Sequence, residues 1–268
     1  NHKMIFIGED VHSPYGGAFK VAKNLSILYP DRVFTTPISE SAIAGLGNGL
    51  ALSGFKPYVE IMFGDFMPLV LEQIINGASK FKHMYNHNIN CPVVFRTPMG
   101  GKRGYGPTHS QSLERLLIGI DNVKVFSLNV LVDPKIIYDK VYLEDDPSIV
   151  VENKLDYGRF ILNDIPKGYC AYLTNEPDAT CIIKKENIKK PDITVFTYGG
   201  SITDVILALD EFTDDTNFEI IVPTVIHPLN IDCVIASLQQ SKRLIAIEEG
   251  SLFGGVTSEL VANINEQV

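Results

Sequence analysis

No apolar run in the 268 residues approaches the roughly 20 that a bilayer-spanning helix needs, so a membrane protein is not expected. Basic clusters are missing too. The net charge of −9 has no Lys/Arg cluster set against it, which argues against a nucleic-acid partner. Cysteine is scarce: Cys91, Cys170, Cys181 and Cys233 are widely spaced, and none forms a C-x-x-C pair. They read as reduced thiols of a cytosolic protein, with no zinc site. The chain opens Asn1-His2-Lys3 and enters an apolar strand at once, so no signal peptide is expected. Phosphate-binding signatures are also absent. No G-x-G-x-x-G opens a helix after the first strand, which argues against dinucleotide binding, and there is no P-loop. Nor is there a Gly-Asp-Gly followed by paired asparagines, the pattern that holds a magnesium diphosphate.

What is present is ordinary in bulk and ordered in pattern. The length fits one large or two medium domains. Apolar, β-rich runs at 4–7, 33–36, 57–62, 92–97, 123–127 and 148–152 alternate with helical patterns at 17–29, 41–53, 69–85, 113–119 and 134–143. Such alternation predicts an α/β domain over residues 1–157, a parallel sheet with helices on both faces. Residues 158–191 break the rhythm with Gly158, Pro166, Gly168, Pro177 and the lysines Lys184, Lys185, Lys189 and Lys190. They read as a linker, with a strand at 181–184 closing the first domain. A smaller α/β unit is expected over 192–268, with strands at 193–198, 218–222 and 243–248 and helices at 202–212, 232–240 and 255–264. It stops on a helix, without the closing strand such domains often have, and so reads as incomplete.

The segment Thr35-Thr36-Pro37-Ile38-Ser39-Glu40 carries the sharpest chemical signal. Glu40 stands where a short strand gives way to a helix. That junction faces the cleft where α/β proteins bind ligands. Beside an apolar wall a carboxyl is expected to hold its proton, which prepares it for proton transfer. A first-turn acid favoured by the helix dipole is the alternative. Within that helix Gly45, Gly47 and Gly49 each cost about 1 kcal/mol relative to alanine. Gly45 and Gly49 share a face that another backbone, a subunit or a flat ligand can approach. Phe63 and Phe66 follow the third strand and suit offset stacking on a heteroaromatic ring, unless both are core. The loop from Met99 to Ser112 holds four glycines, Lys102, Arg103 and His109. His109 is placed just before the helix expected at 113–119, whose positive end favours a neutral imidazole. His12, His83, His87 and His227 read as structural.

Taken together these pieces resemble the beta subunit of thiamine-diphosphate-dependent 2-oxo acid dehydrogenases, the pyruvate, branched-chain and acetoin family. The matching stretches are Gly8-Glu9-Asp10-Val11, Gly17-Ala18-Phe19-Lys20-Val21, Thr36-Pro37-Ile38-Ser39-Glu40, the run from Glu60 to Phe66, Gln73-Ile74-Ile75-Asn76, Pro92 to Arg96, His109-Ser110-Gln111, Val151-Glu152-Asn153 and Ile247-Glu248-Glu249-Gly250. They occur in the family's order across nearly the whole chain.

The resemblance implies a transketolase-type pyrimidine-binding domain followed by a transketolase C-terminal-type domain. It implies that Glu40 exchanges a proton with the cofactor's aminopyrimidine ring. Ile38 and Phe66 then contact that ring, and His109 serves the substrate and acyl transfer to lipoamide. Thiamine diphosphate is the implied cofactor, its diphosphate and Mg2+ held by a partner alpha subunit. A lipoyl-bearing acyltransferase and a contact between two beta subunits complete the implied partners. The place is the cytoplasm, or the mitochondrial matrix or plastid in a eukaryote. Some relatives hold a monovalent cation on main-chain carbonyls near the turn Glu144-Asp145-Asp146-Pro147, which is one residue short here. Two other readings compete: half of a transketolase-like or deoxyxylulose-phosphate-synthase-like enzyme, and a non-catalytic α/β scaffold subunit.

Overall fold

The computed structural model describes residues 3–161, 165–174, 178–212 and 216–267. Residues 162–164 and 175–177, Pro177 among them, belong to the stretch read as a linker and lie outside the described residues. In chain order the elements are β1 Met4–Glu9, α1 Leu25–Leu28, β2 Val33–Thr36, α2 Glu40–Leu52, β3 Lys56–Glu60, α3 Met67–Glu72, a π-helical turn at Gln73–Ala78, α4 Ser79–Met84, β4 Val94–Met99, β5 Lys124–Ser127, α5 Pro134–Leu143 and β6 Ser148–Asn153. There follow β7 Tyr169–Leu173, β8 Thr180–Lys185, β9 Ile193–Thr197, α6 Ser201–Glu211, β10 Phe218–Pro223, β11 Val225–His227, α7 Asp232–Ser241, β12 Leu244–Ile247 and α8 Val256–Gln267.

The α/β class expected from the alternating pattern is what the chain adopts. Seven strands form the first sheet in the order β11-β5-β6-β4-β3-β1-β2, and five form the second, β12-β9-β10-β8-β7. Strands β1 to β6 pair in parallel throughout. Period-two alternation sends successive residues to opposite faces. Ile5, Val59, Phe95 and Ile149 enter a core with Ile43 and Ala44 of α2 and Met67 and Val70 of α3. Their neighbours Tyr58, Val94 and Val150 enter a second core with Ile137 and Val141 of α5. Both cores continue into the second unit, through Leu260 of α8 on one side and Ile202 of α6 on the other.

Three expectations need correction. The helix expected at 17–29 is only the four residues of α1, because Gly17, Lys20 and Asn24 adopt left-handed φ values of 79°, 60° and 72° that a right-handed helix cannot contain. The helix expected at 113–119 is a single 3-10 turn at Glu114–Leu116, ended by Gly119 at φ 80°. The strand expected to close the first domain, β8, pairs antiparallel with β10 and β7 and so belongs to the second sheet. Two short strands were not anticipated. β7 is an edge strand with no fully buried residue, and β11 has three residues that return to the first sheet antiparallel to β5.

Gly47 accounts for one of the three helical glycines. A Cβ there would come within 2.5 Å of Val59 Cγ2, so α2 rests directly on β3. Gly49 would meet nothing within 4 Å, and Gly45 only the end of Gln73.

Candidate active site

The chain runs from β1 to β2 on one side and then returns to β3 on the other. β1 and β3 therefore flank a topological switch point, and the crevice outside their carboxyl ends is where such sheets bind ligands. Each strand end there carries an acid: Glu9 on β1, Glu60 on β3, and Glu40 as the first residue of α2 just after β2.

Glu9 is only 5% exposed, and its Oε1 has no hydrogen-bond partner among the described residues. Burial pushes its carboxyl up, and the charges of Glu40 and Asp10 push the same way, while the Ser39 N–H opposes them. Glu40 itself is half-buried. Ile38, on the approach to α2, is 78% exposed, an apolar side chain standing bare beside the acids.

Glu60 belongs to a network beneath the crevice. Arg96 of β4 is buried and donates to Glu60, and to Glu152 through Nε at 3.2 Å and a second, shorter contact. It also reaches the Tyr157 hydroxyl at 2.9 Å, and Tyr138 and Tyr157 both donate to Glu152. Burial works against an ionised Glu152, yet Arg96 and the two hydroxyls hold its carboxyl below the usual value. Burial lifts Glu60, and Arg96 offsets that only in part. The network ties β3, β4, β6 and α5 together under the strand ends.

The next two strand ends supply an aromatic wall. Phe63 precedes the 3-10 turn Gly64–Phe66 after β3, and Phe66 ends it. The His109 ring meets both edge-on, at 4.8 Å from Phe63 and 5.3 Å from Phe66. Phe19 and Tyr105 extend the cluster at 5.5 and 5.8 Å from Phe63. His109 is thus seated by packing and not by a helix terminus, since only the 3-10 turn follows it. The loop that carries it is closed at its neck: Gly100 N–H donates to Gln111 O at 3.2 Å, and Gly101 N–H to Glu249 Oε1 at 2.7 Å. Lys102 pairs with Asp204 at 2.7 Å, and Arg103 donates to the Lys154 carbonyl at 3.4 Å.

The fold therefore joins Phe66 to His109 and sets Glu40 against Glu9, all at the carboxyl edge of one sheet. Glu9 had no role assigned from sequence. Its signals were its position, an acid after the apolar run Ile5-Phe6-Ile7, and its place in the matching stretch Gly8-Glu9-Asp10-Val11.

Away from this edge, three lysines converge on the acidic turn after α5. Lys56 donates to the Glu144 carbonyl at 2.5 Å, Lys124 to the Glu144 carboxylate at 2.6 Å and Lys82 to Asp146 at 2.8 Å.

The two halves of the chain match two family models: the pyrimidine-binding domain of transketolase over residues 1–159, and the transketolase C-terminal domain over residues 184–268. The mitochondrial pyruvate dehydrogenase E1 component subunit beta-1 of Arabidopsis thaliana is 31% identical over 270 residues, spanning 99% of this chain and 72% of that one. The pyruvate dehydrogenase E1 component subunit beta of Rickettsia bellii is 32% identical over 276 residues, spanning 99% and 79%. This chain belongs to the E1 beta-subunit family of 2-oxo acid dehydrogenases. The 2-oxoisovalerate dehydrogenase subunit beta of Bacillus subtilis, 30% identical with 98% and 79% covered, lies in the same family. A solved structure described as a split-gene transketolase, an inactive beta4 tetramer, shares the fold, with a TM-score of 0.72 at 17% identity over 100% of this chain and 79% of that one.

Proposed function

We propose that this E1 beta-type chain holds the pyrimidine end of thiamine diphosphate and, with an alpha subunit carrying the diphosphate and its Mg2+, decarboxylates a 2-oxo acid and passes the acyl group to a lipoyl-bearing acyltransferase. The observation that carries this reading is the Glu9–Glu40 pair beside a bare Ile38 at the switch point. An aminopyrimidine ring offers nitrogen donors and acceptors on its rim and apolar faces above and below. Those features fit an unpartnered buried carboxyl oxygen, a half-exposed carboxylate and an uncovered isoleucine. Bound thiamine diphosphate supplies the nucleophilic carbon and the electron sink that decarboxylation needs.

The chain's own part is positioning and proton handling. Glu40 would exchange a proton with a nitrogen of the bound aminopyrimidine ring. Glu9, pushed up by burial and by Glu40 itself, takes up a proton more readily than an exposed carboxyl does. Ile38 and Phe66 bound the ring's apolar faces. His109, held edge-on by Phe63 and Phe66, meets the substrate side and serves acyl transfer.

The acidic turn does not fit a monovalent cation. The Glu144 carbonyl is already taken by the Lys56 ammonium, and two further lysines neutralise the carboxylates. A sugar-phosphate substrate finds little welcome either, because Lys102 and Arg103 are both engaged within the chain. The exposed face of α2, with Leu46 and Gly49, continues onto Leu69 and Ile75 and is assigned to subunit contact.

Glu40→Gln tests the reading. The amide cannot exchange the proton, so turnover of 2-oxo acid with the partner and thiamine diphosphate present should fall on the order of 10²–10⁴-fold. The melting curve should stay close to wild type. Turnover near wild type would remove Glu40 from the chemistry.

A further inference from the structure

Lys154 is completely buried, an unusual state for a lysine, and it is the first residue after β6. Its ammonium donates to the carbonyl of His109 at 2.7 Å and to that of Gly100 at 3.2 Å. It lies 3.5 Å from Asp65 Oδ2 and 5.4 Å from the centre of the Phe63 ring. Asp65 in turn uses its other oxygen, Oδ1, to accept from the Gln111 backbone N–H at 3.2 Å and from its side chain at 3.0 Å. One buried ion pair therefore grips the loop on both sides of Ser110, at His109 and at Gln111. Asp65 itself lies between Phe63 and Phe66 in the chain, the two rings against which His109 packs.

We infer that Lys154 is a positioning residue for His109, acting through the His109 main chain and through Asp65. This rests on the reading of His109 as the histidine that meets substrate. The physical reason is that residues 102–108 are exposed and rich in glycine, so the loop has little apolar anchorage of its own. Gly104 and Gly106 adopt left-handed φ values of 87° and 81°. Phe63 and Phe66 hold the imidazole by its edges, and Lys154 fixes the main chain from which it projects. A buried ammonium left without these partners would be costly, which makes the arrangement all or none.

Two substitutions separate the donor from the bulk. Lys154→Met keeps the length and removes every hydrogen bond. Lys154→Gln keeps an N–H donor without the charge. Hydrogen exchange of residues 107–112 in the assembled enzyme is the readout independent of activity. Loss of a hydrogen bond from a charged donor should speed that exchange on the order of 10- to 100-fold in the Met variant, with Gln intermediate. Exchange in β4 and β6 should stay unchanged. In activity, Lys154→Met should lower kcat more than it raises KM for the 2-oxo acid. On a His109→Ala background it should cost nothing further. Unchanged exchange at 107–112, or an undiminished loss on the His109→Ala background, would overturn the inference. If Lys154→Met fails to fold, Asp65→Asn carries the same exchange test, since it keeps an acceptor for Gln111 and breaks only the ion pair. Wild-type turnover by His109→Ala alone would remove His109 from the reaction, and the exchange measurement would still decide whether Lys154 holds the loop.

Discussion

Glu114 offers a quantitative test of how the neck of the His109 loop is built. It opens the 3-10 turn just beyond that loop and is buried. Burial pushes its carboxyl from 4.5 up to about 8, against its own backbone N–H; Glu249 and Glu248 push it higher and Lys154 pulls it back. The sign follows from linkage. A raised folded-state value means that the fold binds the proton more tightly than the unfolded chain does. Its stabilisation is complete below pH 4.5 and is lost as pH rises toward 8. At about 1.36 kcal/mol per unit, roughly 3 kcal/mol has gone by pH 7 and about 5 kcal/mol above pH 8. Glutamine is neutral at every pH and nearly the same shape, so Glu114→Gln should escape that loss.

Wild type and Glu114→Gln should therefore melt alike at the acid end and diverge as pH rises. For a chain of this size 1 kcal/mol moves Tm by roughly 2–4 °C, so the gap at pH 7 should approach about 6–12 °C in favour of the variant. Differential scanning calorimetry from pH 5.5 to 8.5 at constant ionic strength measures it. A gap that does not change with pH would refute the reasoning, because a packing or hydrogen-bond effect has no reason to track a titration. A variant less stable throughout would show that the carboxyl proton makes a bond which the amide cannot replace.

The α2 glycines should behave oppositely. Gly47→Ala drives a Cβ against Val59 and should destabilise the chain by about 1–3 kcal/mol in thermal melts. Gly49→Leu enters open space and should leave melting near wild type while preventing assembly in sedimentation, and an intact oligomer would remove that face from the interface. Glu9→Gln should melt above wild type at neutral pH, with the gap closing as pH falls, because burial and Glu40 raise the Glu9 carboxyl. Its turnover should fall, but less than that of Glu40→Gln; unchanged turnover would remove Glu9 from the proposed proton handling.

The parallel sheet was legible because its strands are apolar on both faces and are separated by helix-length patterns. Residues such as Val59, Val94 and Phe95 have no alternative but a core, and all are fully buried. The failures lie where conformation hangs on single residues. Lys20 and Asn24 break the helix expected at 17–29 with left-handed backbone, and nothing in a lysine announces that. β11 has three residues, too few to show a period, and its partner β5 lies about a hundred residues earlier in the chain.

The site divides along the same line. Glu40, Ile38 and Phe66 stood out because each follows closely on a strand, a place that sequence periodicity can find, and His109 because it lies in a glycine-rich loop. Glu9, Glu114 and Lys154 did not, because their importance comes from being buried. A buried lysine is spelled the same way as a surface one. What distinguishes Lys154 is that the carbonyls of Gly100 and His109, far from it in sequence, converge on one ammonium. Hydrophobic patterns can therefore place the crevice-facing edge of such a sheet. The charges that set its protonation and hold its loops appear only when distant segments meet, which is why the tests above fall mostly on residues the pattern passed over.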